Sequence, residues 1–166
     1  MAAASLANNK LTTHVRTLPS DDLVGVKQTI ADQLRKKGAQ VKIIDEKFVL
    51  GDLPSWRAEG PDIARKDYSS FRAKYDIDKL VVVNYYMVGM TRSYSAYFPT
   101  STPRATVSGI GYMVNLADNK YDWYEPLAVS RAAEGEWDEP PNFPGLTNAY
   151  FQAIEMAKDN LTKPFK

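Results

Sequence analysis

Cysteine is absent from this chain of 166 residues, and histidine occurs once, at position 14. The first absence excludes thiol nucleophiles, thiolate metal sites and disulfides together. The second routes any imidazole base, triad or imidazole-bound metal through His14 alone. Excess charge is missing as well: 21 Lys and Arg stand against 20 Asp and Glu, a formal net charge of +1. That balance gives no footprint for a polyanion or an anionic membrane surface, so no nucleic-acid partner is expected. No run approaches the roughly 18 apolar residues that a membrane-spanning helix needs. The start, Met-Ala-Ala-Ala-Ser-Leu-Ala-Asn-Asn, has neither a basic n-region nor an apolar h-region. It is not an intact signal peptide; it fits the remnant of a trimmed one.

What is present is aromatic: ten Tyr, six Phe and three Trp, concentrated between Asp78 and Pro126. This stretch reads as three consecutive antiparallel strands. A run of β-formers opens at Leu80-Val81-Val82-Val83 and continues to Phe98, where Pro99-Thr-Ser-Thr-Pro103 breaks it. A second run goes from Ala105 to Leu116, and Ala117-Asp-Asn-Lys120 turns the chain into Tyr121-Asp-Trp-Tyr124.

Around this meander the pattern is alternating. Leu11 to Leu18 is β-branched and predicts a first strand. Ser20 as N-cap, with Asp21 and Asp22 in the first turn, opens a helix carrying Leu23, Val26, Ile30 and Leu34, which ends at Gly38. Val41 to Ile44 predicts a second strand and hence a βαβ unit. Asp45 to Gly60 is irregular, Pro61 opens a helix to about Tyr75, and Glu134 to Gly145 is a loop. Thr147 to about Lys163 is a last helix with Tyr150, Ile154, Ala157 and Leu161 on one face. The order is β-α-β-α-β-β-β-α, which predicts an α+β two-layer sandwich with a mixed sheet and helices on one face. Residues 1–10 are expected to be an unordered N-terminal segment, and 11–166 a single domain.

Few residues invite chemistry. His14 lies in the expected edge strand, with no acid or nucleophile near it in sequence, and reads as solvent-facing. Gly109-Ile-Gly111 lacks the third glycine, lysine and following helix of a phosphate loop. It reads instead as a bulge, or as a place where an aromatic ring lies over the backbone. The acid pairs Asp21-Asp22 and Asp45-Glu46 belong to a helix start and a strand end. Glu134-Gly-Glu-Trp-Asp-Glu139 gathers carboxylates around Trp137 without the alternating spacing of a calcium loop, and reads as an acidic surface loop. Asn160-Leu-Thr162 matches a glycosylation acceptor, but inside a predicted helix the match is accidental. No catalytic, cofactor-binding or metal-binding set emerges, and no cofactor is expected.

Three phrases carry a family resemblance: Leu34-Arg-Lys-Lys-Gly-Ala-Gln-Val41, Tyr75-Asp-Ile-Asp-Lys-Leu-Val-Val-Val83, and Ser108 to Trp123 with its strand, acidic turn and following Trp. Together they resemble bacterial envelope lipoproteins with a small α/β domain like the N-terminal domain of the translocation protein TolB. That group includes the curli-secretion lipoprotein and the lipoprotein activators of penicillin-binding proteins. The resemblance spans Leu11 to Phe165. It departs in the Asp45–Gly60 insertion, in the Glu134–Gly145 loop, and in the lack of a lipid-bearing cysteine, which a trimmed mature sequence would explain. It implies a periplasmic, outer-membrane-anchored accessory module that docks onto a protein partner of the envelope. The surfaces expected to do so are the hairpin tip (Tyr94, Tyr97, Phe98, Arg104) and the acidic loop (Glu136, Trp137, Asp138, Phe143). Two other classes stay open. One is a hydrolase or carbohydrate-binding domain using Asp122, Glu125, Glu136 and Asp138, because a carboxyl pair needs neither His nor Cys. The other is a structural subunit that buries its open sheet face by homo-oligomerisation.

Overall fold

The computed structural model describes residues 2–46, 48–57, 59–96 and 98–166, with side chains from residue 8 onward. It is a mixed α/β structure. Helices α1 (Ala2–Val15), α2 (Asp21–Val24), α3 (Val26–Lys36) and α4 (Ser70–Tyr75) precede β1 (Lys79–Thr91). Then come β2 (Tyr94–Ser95), β3 (Phe98–Pro99), β4 (Arg104–Asn115), β5 (Lys120–Ala132) and α5 (Pro144–Thr162).

The three long strands form an antiparallel sheet in the order β1-β4-β5, as the meander predicts. The expected mixed sheet is therefore corrected: each neighbour in it runs antiparallel. Register runs from Lys79↔Asn115 to Thr91↔Arg104 on one side of β4, with a bulge between Tyr85 and Met87. On the other side it runs from Arg104↔Ala132 to Asn115↔Lys120. β5 continues through Pro126 rather than stopping there, because it is an edge strand, where a proline is tolerated with its nitrogen on the unpaired side. The first β run stops at Thr91, and Tyr94–Ser95 then pairs with Phe98–Pro99 as a small hairpin of its own.

Residues of β4 alternate between two cores. Ala105 and Val107 join Leu127, Val129, Val26, Ile30 of α3, and Ala149, Ile154, Ala157 and Leu161 of α5. Tyr112 and Val114 join Leu80, Val82, Ala64, Tyr68 and Phe71 on the opposite face. Helices are thus not confined to one face as expected, since α4 places Phe71 on the side away from α5.

Four local expectations fail for identifiable reasons. Leu11–Leu18 is not a strand: α1 runs through it to Val15, and it also covers residues 2–10 of the segment expected to be unordered. The opening alanines are the strongest helix formers. Thr12 and Thr13 donate their hydroxyls to the carbonyls of Asn8 (2.9 Å) and Asn9 (3.1 Å), one turn back. His14 is accordingly half-buried on a helix and not solvent-facing on an edge strand, with Nε2 2.8 Å from Thr147 Oγ1.

Val41–Ile44 forms no strand, so there is no βαβ unit. The helix predicted before it is present, interrupted at Gly25, and Gly38 leaves α3 with φ +90°. Ser20 precedes it without a side-chain capping bond. The chain then crosses from the face holding Ile30 to the face where Ile44 and Phe48 pack, instead of running along the sheet edge.

Pro61 opens no helix either; α4 begins only at Ser70. Residues before it are drawn out as a strip pinned to the β4–β5 turn: the Ala64 amide donates to the Asn119 carbonyl at 3.0 Å, and the Tyr121 amide to Asp62 at 2.7 Å. Finally, α5 starts at Pro144 rather than Leu146 or Thr147, with the fixed φ of proline at the first helical position. Its buried residues include Tyr150, Ile154, Ala157 and Leu161, as predicted.

Both glycines of β4 are explained. A Cβ at Gly111 would enter the Trp123 ring, and one at Gly109 would fall on the β1 backbone beside the bulge. The ring over the strand is that of Trp123, from β5. Among the described residues no helix is long and apolar enough to cross a membrane.

Candidate docking surface and aromatic depression

Two patches far apart in sequence meet at one end of the sheet. Arg92, just beyond β1, lies over the Trp137 ring at 4.9 Å from its centroid. Trp137 stacks on Phe143 at 6.3 Å with 4° between planes, and Phe143 meets His14 at 5.8 Å. The cation on the indole face and the parallel rings are mutually attractive. Arg92 also donates to Asn8 Oδ1 (2.9 Å) and to the Ser101 carbonyl (2.7 Å), while Asn8 donates to the Tyr94 hydroxyl (3.0 Å). One side chain thus ties α1, the hairpin and the acidic loop together.

Beside this column Tyr94 and Phe98 remain 51% and 62% exposed. A groove of about 560 Å³ between α1 and the end of β1 runs up to Tyr94, lined in part by Leu11, Val15 and Met87. Glu136 and Asp138 are exposed and form no ion pair among the described residues. Of the remaining expected residues, Tyr97 lies outside the described residues. Arg104 is held away from the column, with Nε donating to Ser130 Oγ at 2.9 Å on the neighbouring strand. Arg92, which is not among the expected residues, stands at the centre of the column. Its position within the aromatic run was the available sign, but only the folded loop shows which arginine meets Trp137.

The carboxylates proposed for hydrolysis are dispersed. Asp122 is paired with Lys79 at 2.8 Å, and Glu125 sits opposite Gly111 on the face that α5 covers. At about 3.3 Å per residue, the strand puts Asp122 roughly 30 Å from the loop that carries Glu136 and Asp138. No group of three His, Asp or Glu able to hold a metal occurs among the described residues.

A second feature was not anticipated. On the face away from α5 the rings of Tyr68, Tyr112, Tyr121 and Tyr124 form a ladder, with successive centroids 6.0, 5.5 and 5.0 Å apart. The Tyr68 and Tyr112 hydroxyls are hydrogen-bonded to each other. Asn119, 1% exposed and at φ +60°, fixes the outer segment to the sheet. Its amide nitrogen donates to the carbonyls of Ala64 (2.9 Å) and Lys66 (2.8 Å), and its Oδ1 accepts from the Tyr68 amide (3.1 Å).

Beside the ladder opens a depression of about 860 Å³, walled by Trp56, Tyr68, Tyr121 and Tyr124, with Glu59, Arg65 and Lys66 in its lining. Lys66 is committed, donating to the Gly51 and Leu53 carbonyls at 2.8 Å each. The Trp56 indole N–H is shielded and has no acceptor among the described residues, a cost of about 1–3 kcal/mol. Trp56, inside a segment read as irregular, was one sequence sign of this site, and the aromatic run that holds Tyr121 and Tyr124 was the other.

Burial raises the hydroxyl pKa of Tyr68, Tyr112 and Tyr121, and pushes Tyr85 up to about 12. An unfolded tyrosine ionises near 10. Between pH ~10 and 12 the unfolded chain therefore releases protons that the folded chain keeps, so stability is complete below pH ~10 and falls as pH rises. The urea midpoint should decline across this window, and less steeply in Tyr85→Phe. An unchanged slope in that variant would show that the Tyr85 hydroxyl is not sheltered.

Comparison with protein-family models, with curated proteins and with solved structures returns no match.

Proposed function

We propose that this chain is a non-enzymatic docking module of a bacterial envelope lipoprotein, facing the periplasm and held at the outer membrane, which captures a protein partner through the end of the sheet. The observation that supports this reading is the convergence of the hairpin and the acidic loop on Arg92, with Tyr94 and Phe98 left exposed beside a groove. Exposed aromatics around a fixed cation-aromatic column have the composition of an interface centre, and acidic residues at its margin suit a polar rim.

Tyr94→Ala/Phe98→Ala tests it. Cross-linking in envelope extract should give a partner adduct with the parent chain that the double variant loses. The melting temperature should move by no more than about 2 °C, because exposed side chains contribute little to folding. Phe151→Ala, at a separate exposed site, should keep the adduct. An adduct retained by the double variant, or a large loss of stability, removes the proposal. An adduct of doubled mass, with concentration-dependent light scattering, would assign this end to self-association instead.

A further inference from the structure

We propose that the depression walled by Trp56, Tyr121 and Tyr124 binds a neutral β-1,4-linked glycan chain. Its volume of about 860 Å³ lies within the roughly 300–1,000 Å³ of ordinary ligand sites. It is neither enclosed nor flat, which suits a segment of a chain better than a whole small molecule. Three features select the chemistry. Tyr124 is 50% exposed and its ring meets Tyr121 at 5.0 Å, so aromatic surface is presented to the open side. An aromatic ring stacks on the flat C–H face of a pyranose, and a β-1,4-linked ribbon presents such faces in succession.

The polar groups supply both donors and acceptors, as sugar hydroxyls require. Arg65 and Glu59 form no ion pair among the described residues, and the Tyr121 and Tyr124 hydroxyls make no hydrogen bond there. Charge selects the same class. Arg65 and Glu59 offset each other, and the Lys66 ammonium is occupied by two backbone carbonyls, which leaves no cationic stripe for a polyanion. The site lies at the Lys120 end of the sheet, away from the docking column, so the two can be tested separately.

The indole N–H signals of the three tryptophans provide the readout, with Trp56 assigned through Trp56→Phe. Titration with cellotetraose and with tetra-N-acetylchitotetraose should shift the Trp56 signal saturably for at least one of them and leave Trp137 unmoved. Tyr124→Ala and Arg65→Gln should each weaken the binding about tenfold. The unshifted Trp137 signal and the resolved spectrum report that each variant is folded. Absence of a saturable shift with both sugars overturns the proposal. So does binding that Tyr124→Ala leaves intact, or stronger binding of a sulfated oligosaccharide, which would make the site anionic in preference.

Discussion

Asn119→Ala should lower the unfolding free energy by about 4 kcal/mol, a shift of roughly 10 °C in melting temperature for a chain of this size. The side chain is 1% exposed and makes three hydrogen bonds, all to backbone groups of the Ala64–Tyr68 strip. Truncation leaves one amide and two carbonyls without partners, Ala64 itself being fully buried, and orphaned buried groups cost about 1–3 kcal/mol each. Alanine is also disfavoured at φ +60° by about 1 kcal/mol. Two further variants divide these causes. Asn119→Gly removes the backbone cost and keeps the hydrogen-bond loss, so it should recover only about 1 kcal/mol. Asn119→Asp keeps the acceptor for Tyr68 but sets a second oxygen against the Ala64 and Lys66 carbonyls, and should be as damaging as alanine. Urea unfolding measures all three. Loss of less than about 1 kcal/mol in Asn119→Ala would mean that the backbone bonds to the β4–β5 turn, with Tyr68 and Phe71 packing, suffice to hold the strip. The consequence extends to binding, because Tyr68 and Trp56 reach the aromatic depression through this strip.

Gly109→Ala should cost more than about 3 kcal/mol and exceed Gly111→Ala, although the two glycines are neighbours on the same face of one strand. At Gly109 the new methyl meets the Asn84 carbonyl, with Tyr85 Cα at 3.0 Å; both are β1 backbone at the bulge, and no rotamer change relieves the clash. At Gly111 it meets the Trp123 ring and Leu161, with Cδ2 at 2.7 Å, which are side chains able to yield. Overpacking of that kind costs about 1–3 kcal/mol. Combining Gly111→Ala with Trp123→Leu should therefore recover part of the loss, with a coupling of about 1 kcal/mol, while Gly109→Ala gains nothing from the same partner. Equal effects at the two positions would contradict the close approach of β1 to Gly109.

The reading of these glycines shows where sequence stops. Their role as sites of close approach was legible, because a strand interior has few other uses for glycine. Which group approaches was not, since Trp123 arrives from the far side of a turn and Asn84 from a bulge. The same division holds for the helices. Leu23, Val26 and Ile30, and Tyr150, Ile154 and Leu161, announce themselves by spacing, because a helix buries residues three and four apart. Leu11–Leu18 misled, because β-branched residues have a second use: threonine hydroxyls that bond one turn back. Val41–Ile44 misled for another reason. Its residues favour extension, but a strand needs a neighbour, and the chain was already crossing to the other face.

The amino-acid order by itself determined the three-strand meander, the amphipathic helices and the surplus of aromatic rings, all of which arise from periodicity and turn chemistry within a few residues. It also pointed to the hairpin and the acidic loop as separate exposed patches. Tertiary structure decided that Arg92 joins those patches, that Asn119 lays the Ala64–Tyr68 strip onto the sheet, and that Trp56 lines one depression with Tyr121 and Tyr124. Each of these unites residues tens of positions apart, and such pairings depend on which face of the sheet a connection takes, a choice that no local pattern encodes.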